Sequence, residues 1–565
     1  MDLPPQPLSV PFPVFGSRRV PTRRRRAALG LIAAAGAAAT APLWTVPFPP
    51  MTDYPQQLAL AAILRFYDDP ARLFRETYEL WWTAPHSLWK LLVAGLAWLL
   101  PINTAGKLVV ALSLAAVGPA ALALCRQAGR PAWYALLPLA LVYNSAFYWG
   151  FVDNLLAYPL LLAGIALTDR LLARGGLAEG RPPAFSSWLL LAGFTLLFYE
   201  VHLQFLVIFA ASVGWLAVVR LPRPGRLLLW LSPLLPGLLL AAAVLGASTR
   251  PGVLSGYEAR MRSFLDSVPV HRLPLSEKLA RLPDLLFGDH PGPVRLVLAA
   301  LLAGTLLVLL LPGRRAAPSR LPASPAAASS PGPAAAGPSR LGAARELLVR
   351  GRFASLAGWL GLAYLLLPEV SHSYVLVAER LVPAAAMVAV AALPPARPGR
   401  RRLAAALLAG LLVLQLGATL TAFLRFGGES AGLAELLATT EPGQNLAGLI
   451  YDRYAAGWRH APVLLHFPAY YQALKGGRVL FSFAVFYHFP VRFRPGQGWD
   501  DLLAEWDDWN PRHFSFPRHG ARFRYFLVRG EARQLAAAFG PYLAGLRVRS
   551  AGGWYLVENP RPARR

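Results

Sequence analysis

The sequence predicts a polytopic α-helical membrane protein of about eleven transmembrane helices, followed by a small C-terminal α/β domain. Three observations predict it. Of 565 residues, 55% are hydrophobic and only 15% are charged, and the mean hydropathy is +0.42. That leaves too little polar surface for a soluble chain of this length. The apolar runs alternate with short arginine-rich turns, as in multi-pass helical proteins. After Arg425 the composition changes, aromatic and charged residues rise, and no spanning run follows.

The net charge of +27 does not point to nucleic acid. The arginines cluster between apolar runs, at Arg18 to Arg26, Arg220 to Arg226, Arg314 to Arg320 and Arg397 to Arg402. This is the positive-inside pattern, and no nucleic-acid partner is expected. Cys125 is the single cysteine, so the exported parts must fold without an internal disulfide.

Residues 1–26, rich in Pro and Arg, read as a disordered cytoplasmic tail. Arg23 to Arg26, Ala27 to Ala39 and Ala39-Thr40-Ala41 imitate a signal peptide. The many later spans favour a retained first helix over about 27–45. Residues 27–424 form the multi-pass domain. Within it, 46–102 is a first external loop, where Asp53 to Phe66 reads as an amphipathic helix on the membrane surface. Residues 86–101 are apolar enough to cross, but the arginine clusters keep their side only if this segment is re-entrant or interfacial.

Further spans are expected at 103–125, 131–149, 154–171, 186–200, 203–220, 227–247, 293–312, 353–368, 381–396 and 403–424. Residues 248–292 then form a second external loop and 313–352 a cytoplasmic linker, low in complexity from Pro318 to Pro338. The N-terminus falls in the cytoplasm and the C-terminal domain, 425–565, outside it. In that domain Arg478 to Phe483 and Arg522 to Val528 alternate like strands, and Glu531 to Phe539 reads as a helix. Leu546 to Arg549 and Trp554 to Val557 flank Gly552-Gly553 as a hairpin.

On this topology the polar residues expected at helix ends and in external loops share the outer interface: Asp53, His86, Asp153, Asn154, Glu200, His202, Asp284, Asp289, His290, Glu369, His372, Glu379 and Arg380. Ionisable groups there are costly unless solvated or used. Asp53 suits either a helix cap or a catalytic acid. Glu379-Arg380 suits either an internal ion pair or a phosphate site, since a guanidinium fork matches phosphate. His460 and His466 read as ordinary surface or packing residues. No P-loop, HExxH, GxSxG or GxGxxG motif is present in a fitting context. No cofactor is indicated, and no ligand spacing singles out a divalent metal, which the sequence leaves open.

Two stretches, Met51-Thr52-Asp53-Tyr54-Pro55-Gln56-Gln57-Leu58-Ala59 and Tyr143-Asn144-Ser145-Ala146-Phe147-Tyr148-Trp149-Gly150-Phe151-Val152-Asp153-Asn154, carry a resemblance. With the overall layout, the chain resembles the GT-C superfamily of polytopic membrane glycosyltransferases, in particular bacterial members. The likeness covers the layout of the whole chain but only these short stretches in residues. It implies transfer of a sugar from a polyprenyl-phosphate donor in the bacterial cytoplasmic (inner) membrane to a glycan, lipid or protein acceptor of the cell envelope. It implies that Asp53 occupies the position of the catalytic or metal-coordinating acid. Many members pair that acid with a second; here Thr52 and Tyr54 flank it, which puts metal dependence in question. On the same reading Arg380, Arg260 and Arg262 are expected at the donor phosphate. His86, Asp153, Asn154, Glu200, His202 and Glu379 are expected to support the site or bind acceptor. A non-enzymatic envelope assembly protein and a lipid-linked glycan transporter or flippase remain as alternative classes.

Overall fold

The computed structural model describes residues 22–174, 184–221, 225–248, 254–267, 272–311, 340–371 and 374–562. Residues 1–21 of the tail, the low-complexity stretch Pro318 to Pro338 and His372 lie outside the described residues.

Among the described residues seven helices are long and apolar enough to cross a membrane: Arg26–Trp44, Ile102–Gln127, Val152–Arg174, Leu203–Arg220, Arg226–Ser248, Gly292–Leu310 and Pro398–Ala438. Several expected spans take other forms. Residues 131–149 do not form one rod. They break into a 3₁₀ turn at Ala132–Ala135 and short helices at Leu136–Ala140 and Ser145–Tyr148. Asn144 accepts a hydrogen bond from the Ala146 N–H at 3.0 Å, a side-chain competitor that restarts the helix there. The span expected at 381–396 is helical only over Leu381–Ala389, about 14 Å long against a hydrocarbon layer of about 30 Å. The expected 186–200 span is the Phe185–Val201 helix of 17 residues, and the expected 353–368 span is helical to Leu366, as the end of the Arg340–Leu366 helix. The 86–101 segment holds only the nine-residue Leu88–Leu96 helix, too short to cross and consistent with a re-entrant or interfacial piece.

The Tyr54–Arg65 helix is not the half-exposed surface helix its pattern suggests. Tyr54 to Ile63 are all buried, because the C-terminal domain covers the face left free by the bundle. Even Gln56 is inside, donating to the Phe481 carbonyl at 2.9 Å and accepting from the Phe483 N–H at 3.1 Å, which offsets the cost of burying its amide.

The C-terminal domain is built on a five-stranded sheet. In spatial order its strands are Arg478–Val479, Asn445–Ile450, Tyr525–Arg529, Trp554–Glu558 and Arg547–Ala551. Asn445–Ile450 runs parallel to both neighbours. It and Tyr525–Arg529 are buried along their whole length, as parallel strands covered on both faces must be. The hairpin at Gly552-Gly553 forms as expected, with both glycines at positive φ, the geometry a tight hairpin turn requires. The strand expected over Arg478 to Phe483 pairs only at its first two residues, after which Ser482 accepts from the Ala484 N–H and turns the chain. Glu531 and Gln534 close a capping box over Ala532–Phe539.

This domain does not stand apart from the first loop. Tyr78–Leu80 pairs antiparallel with Val491–Phe493, and Leu60, Ile63, Phe74 and Tyr78 share one core with Leu449, Phe489 and Phe526. The 38-residue Arg401–Ala438 helix is about 57 Å long, so about half of it extends beyond the hydrocarbon thickness. On that extension Glu429 pairs with Arg529 at 2.9 Å, and its carbonyl accepts from the Trp554 indole N–H at 2.7 Å. At the other end of the bundle buried Asp169 binds Arg220 (2.6 Å), Arg352 (2.7 Å) and Gln127 (2.8 Å).

Candidate functional site

The two sequence stretches singled out above meet. The Thr52 N–H donates to the Tyr148 carbonyl at 2.9 Å and the Asp53 N–H to the Trp149 carbonyl at 3.0 Å. Gly150 makes the approach feasible. Its φ is +75°, and a Cβ there would lie 2.6 Å from the amide nitrogens of Asp53 and Tyr54.

Asp53 stands at the N-cap position of Tyr54–Arg65 but its side chain makes no cap hydrogen bond, so capping is not its role. Its carboxylate instead faces His466 Nδ1 at 3.1 Å, and His466 Nε2 faces Asp508 at 3.1 Å. At these distances His466 bridges the two carboxylates. Burial alone would lower the imidazole pKa; the two facing carboxylates outweigh it and lift His466 to about 9. A buried imidazolium thus sits between two carboxylates.

Residue pattern alone gives His466 a packing role and Asp508 none. The signal was present in the composition: a histidine inside Val463-Leu464-Leu465-His466-Phe467 is buried and needs polar partners, and Asp507-Asp508 offered unassigned acids.

A second cluster gathers four of the expected residues, His86, Asp153, His202 and Arg380. Lys90 Nζ lies 2.7 Å from Asp153 and donates to the His86 carbonyl at 2.6 Å. The His86 ring is 4.6 Å from that of His202 and 5.4 Å from that of His488. Arg380 lies over the Phe151 ring at 4.0 Å, with Nη1 3.1 Å from His202 Nε2. His202 Nδ1 accepts the Gln204 N–H at 3.1 Å, which places the ring proton on Nε2. The Nε2–H and the guanidinium therefore face one another as two donors. Burial, then the charges of neighbouring histidines, Lys90 and Arg380, holds His86 well below its ordinary pKa. Burial with the charges of Lys90, Arg262 and Arg380 pushes His488 down to about 3. His86 also holds φ +59°, a strained conformation of the kind that collects at functional sites. Asn154 is buried next to Asp153 in sequence, and among the described residues neither of its amide atoms has a hydrogen-bond partner.

One short segment serves both clusters. The Trp149 carbonyl receives the Asp53 amide, Phe151 carries Arg380, and Asp153 holds Lys90. Four peptide units reach at most about 14 Å, which bounds the backbone separation of the two clusters along this segment.

No protein-family model matches this sequence, and no curated protein matches it.

Other expected site residues fall elsewhere. Arg260 donates to the Asp500 carbonyl at 2.8 Å on the exposed side of the domain, away from the basic cluster. Arg262 pairs with Glu258 at 3.0 Å and is felt electrostatically by His488. Glu379 turns away from its neighbour Arg380 and pairs with Arg281 at 2.6 Å. Burial, together with nearby Glu369, raises its pKa against the pull of Arg281. Glu200 joins neither cluster among the described residues. Nor do the residues fit a divalent cation at Asp53. No group of three His, Cys, Asp or Glu among the described residues is arranged to hold a metal ion.

Proposed function

We propose that the protein is an integral membrane glycosyltransferase of GT-C type, moving a sugar from a polyprenyl-phosphate donor to an envelope acceptor. The observation that carries this reading is the meeting of Asp53, His466 and Asp508 next to a basic cluster around Arg380, on the same end of the apolar bundle. A lipid-linked donor keeps its chain in the bilayer and presents its phosphate at the interface, where both groups are needed.

In this mechanism Asp53 accepts the proton of the acceptor hydroxyl as that oxygen attacks the sugar C1. The bond from C1 to the phosphate oxygen breaks, and the electron pair leaves with the phosphate. Arg380, His202 and Lys90, with Arg262 beside them, stabilise the leaving phosphate. His466, held by Asp508, positions the Asp53 carboxylate. Arg260 has no part in this reading, and no step requires a metal ion.

The same proposal takes the membrane to be the bacterial inner membrane, with the N-terminus cytoplasmic and the C-terminal domain outside. The count of about eleven crossings is then completed by the shorter and broken helical segments. Support comes from the Asp169, Arg220 and Arg352 group at one end of the bundle and the Asp53 and Arg380 groups at the other. Asp153 and Asp169 lie on one helix, about 24 Å apart along its axis.

The test is sugar transfer by the purified full-length protein in lipid nanodiscs, with polyprenyl-phosphate sugars as donors. Transfer by the wild type that Asp53→Asn abolishes supports the reading. Equal transfer by both proteins would sink it. Movement of a lipid-linked glycan across the bilayer without transfer would establish the transporter class instead.

A further inference from the structure

We infer that the cavity beside Trp149 is a subsite for an uncharged saccharide unit; its assignment as the acceptor subsite rests on the function proposed above. The cavity measures about 100 Å³ and opens to solvent on one side, against about 10–15 Å³ needed for a water on the same measure. Trp149, Arg281, Asp284, Glu379 and His460 line it. Arg281, Asp284, Glu379 and His460 belong to neither the Asp53 nor the Arg380 cluster, and Trp149 touches the first only through its backbone.

The carboxylates that line this cavity are already engaged, Asp289 by backbone N–H groups and the others by cations. Arg281 pairs with Glu379 at 2.6 Å. Asp284 pairs with Arg295 and lies 3.6 Å from His460. A charged ligand would have to break one of these pairs in a partly enclosed space. A sugar hydroxyl need not, because it donates to the remaining lone pairs of a carboxylate and accepts from a spare guanidinium N–H. The half-buried Trp149 ring, stacked on Phe151, adds a flat apolar wall suited to the C–H face of a pyranose.

The walls are fixed and adjoin the Asp53 site. At Gly288, φ is +72° and a Cβ would come 2.2 Å from the Tyr148 ring, so any side chain there would push into the cavity wall. Asp289 accepts the backbone N–H groups of Arg459, His460 and Ala461 at 2.8, 2.7 and 3.1 Å. That clamp holds one loop, which presents His460 to the cavity and, a few residues on, His466 to Asp53. The peptide of Trp149 joins the two directly, since its carbonyl takes the Asp53 N–H.

The experiment is saturation-transfer NMR on the full-length protein in nanodiscs. The uncharged probes are methyl glucoside, methyl galactoside and methyl mannoside; glucuronate and glucosamine are the charged ones. At least one uncharged glycoside should bind, and its affinity should fall about tenfold or more in Trp149→Phe and in Glu379→Gln. Asp53→Asn should bind it as the wild type does. Absence of binding by all three glycosides overturns the inference, as does equal binding of the charged sugars or unchanged affinity in both variants. Glycoside binding by a protein without transfer activity leaves the subsite standing and removes the enzyme reading. Transfer with an unchanged acceptor KM in Trp149→Phe does the reverse.

Discussion

His466 Nδ1 lies 3.1 Å from the Asp53 carboxylate, joining the N-cap position of the buried loop helix to a loop of the C-terminal sheet domain. Asp53 is thereby anchored from a part of the chain that its own surroundings in sequence do not reveal. On the proposed mechanism Asp53→Asn removes the proton acceptor but keeps size and shape. We expect transfer to fall by about 100- to 10,000-fold, the range for a positioned general base, with the thermal midpoint little changed. His466→Gln should reduce kcat by less, because it loosens Asp53 without removing it. Steady-state transfer assays on both variants check the order.

The pH dependence of stability follows from the same pair. The folded pKa of His466, about 9, lies above the ordinary value of 6.5. The contribution is therefore complete below pH 6.5 and is lost as pH rises through about 9. Over that window we expect the wild type to lose roughly 3 kcal/mol of stability. His466→Gln should show a flat profile there, and Asp508→Asn should move the loss to lower pH. Thermal melts across this range decide it; a wild-type profile identical to that of His466→Gln would contradict the ion-paired imidazolium.

Much of this architecture could be read from residue pattern, for physical reasons that also mark where reading stops. Spans such as Ile102–Gln127 and Val152–Arg174 announce themselves through composition alone, because the bilayer admits little else. The Gly552-Gly553 hairpin and the Glu531 cap are local, so local sequence specifies them. The pairing of Tyr78–Leu80 with Val491–Phe493 is not local, and three-residue strands carry no pattern. The burial of Tyr54–Arg65 fails for the same reason: its second partner is the C-terminal domain. At the site, Arg380, His202, His86 and Asp153 were identifiable as polar residues stranded at helix ends. His466 was hidden among apolar neighbours, and Arg260 was overvalued because charge says nothing about which way a side chain turns.

Gly150 is the hinge of the site's geometry and gives a sharp structural test. An alanine would hold an unfavourable φ of +75° and place its Cβ 2.6 Å from two backbone nitrogens. We expect Gly150→Ala to cost about 2 kcal/mol or more and to break the bond from the Asp53 amide to the Trp149 carbonyl. Gly417→Ala is the control: nothing lies within 4 Å of its Cβ position in the long helix, and alanine there should be neutral or stabilising. Parallel unfolding midpoints separate the two, and equal midpoints would show that Gly150 is not constrained.

The donor side is tested at Arg380. Truncation in Arg380→Ala removes the guanidinium opposite His202 Nε2 and leaves Lys90 and Asp153 paired. We expect the donor KM to rise and kcat to fall together, since the phosphate is contacted both on binding and as it leaves. Arg380→Lys should restore charge but not the fork, giving partial recovery. A change confined to the acceptor KM would place Arg380 outside the donor site.

The last prediction separates stability from chemistry. Asp169 is fully buried and holds Arg220 and Arg352 through both oxygens, tying three helices at the end of the bundle remote from Asp53. Asp169→Asn leaves two arginines facing one another with their shared counter-charge removed. Breaking a buried pair of this kind costs about 3–5 kcal/mol, so yield and thermal midpoint should drop sharply. The protein that does fold should transfer sugar and bind glycosides with wild-type KM values, because among the described residues no contact of Asp169 reaches either cluster. Loss of stability with unchanged KM is the expected pattern. A changed donor KM at unchanged stability would mean that the two ends of the Val152–Arg174 helix are coupled in catalysis.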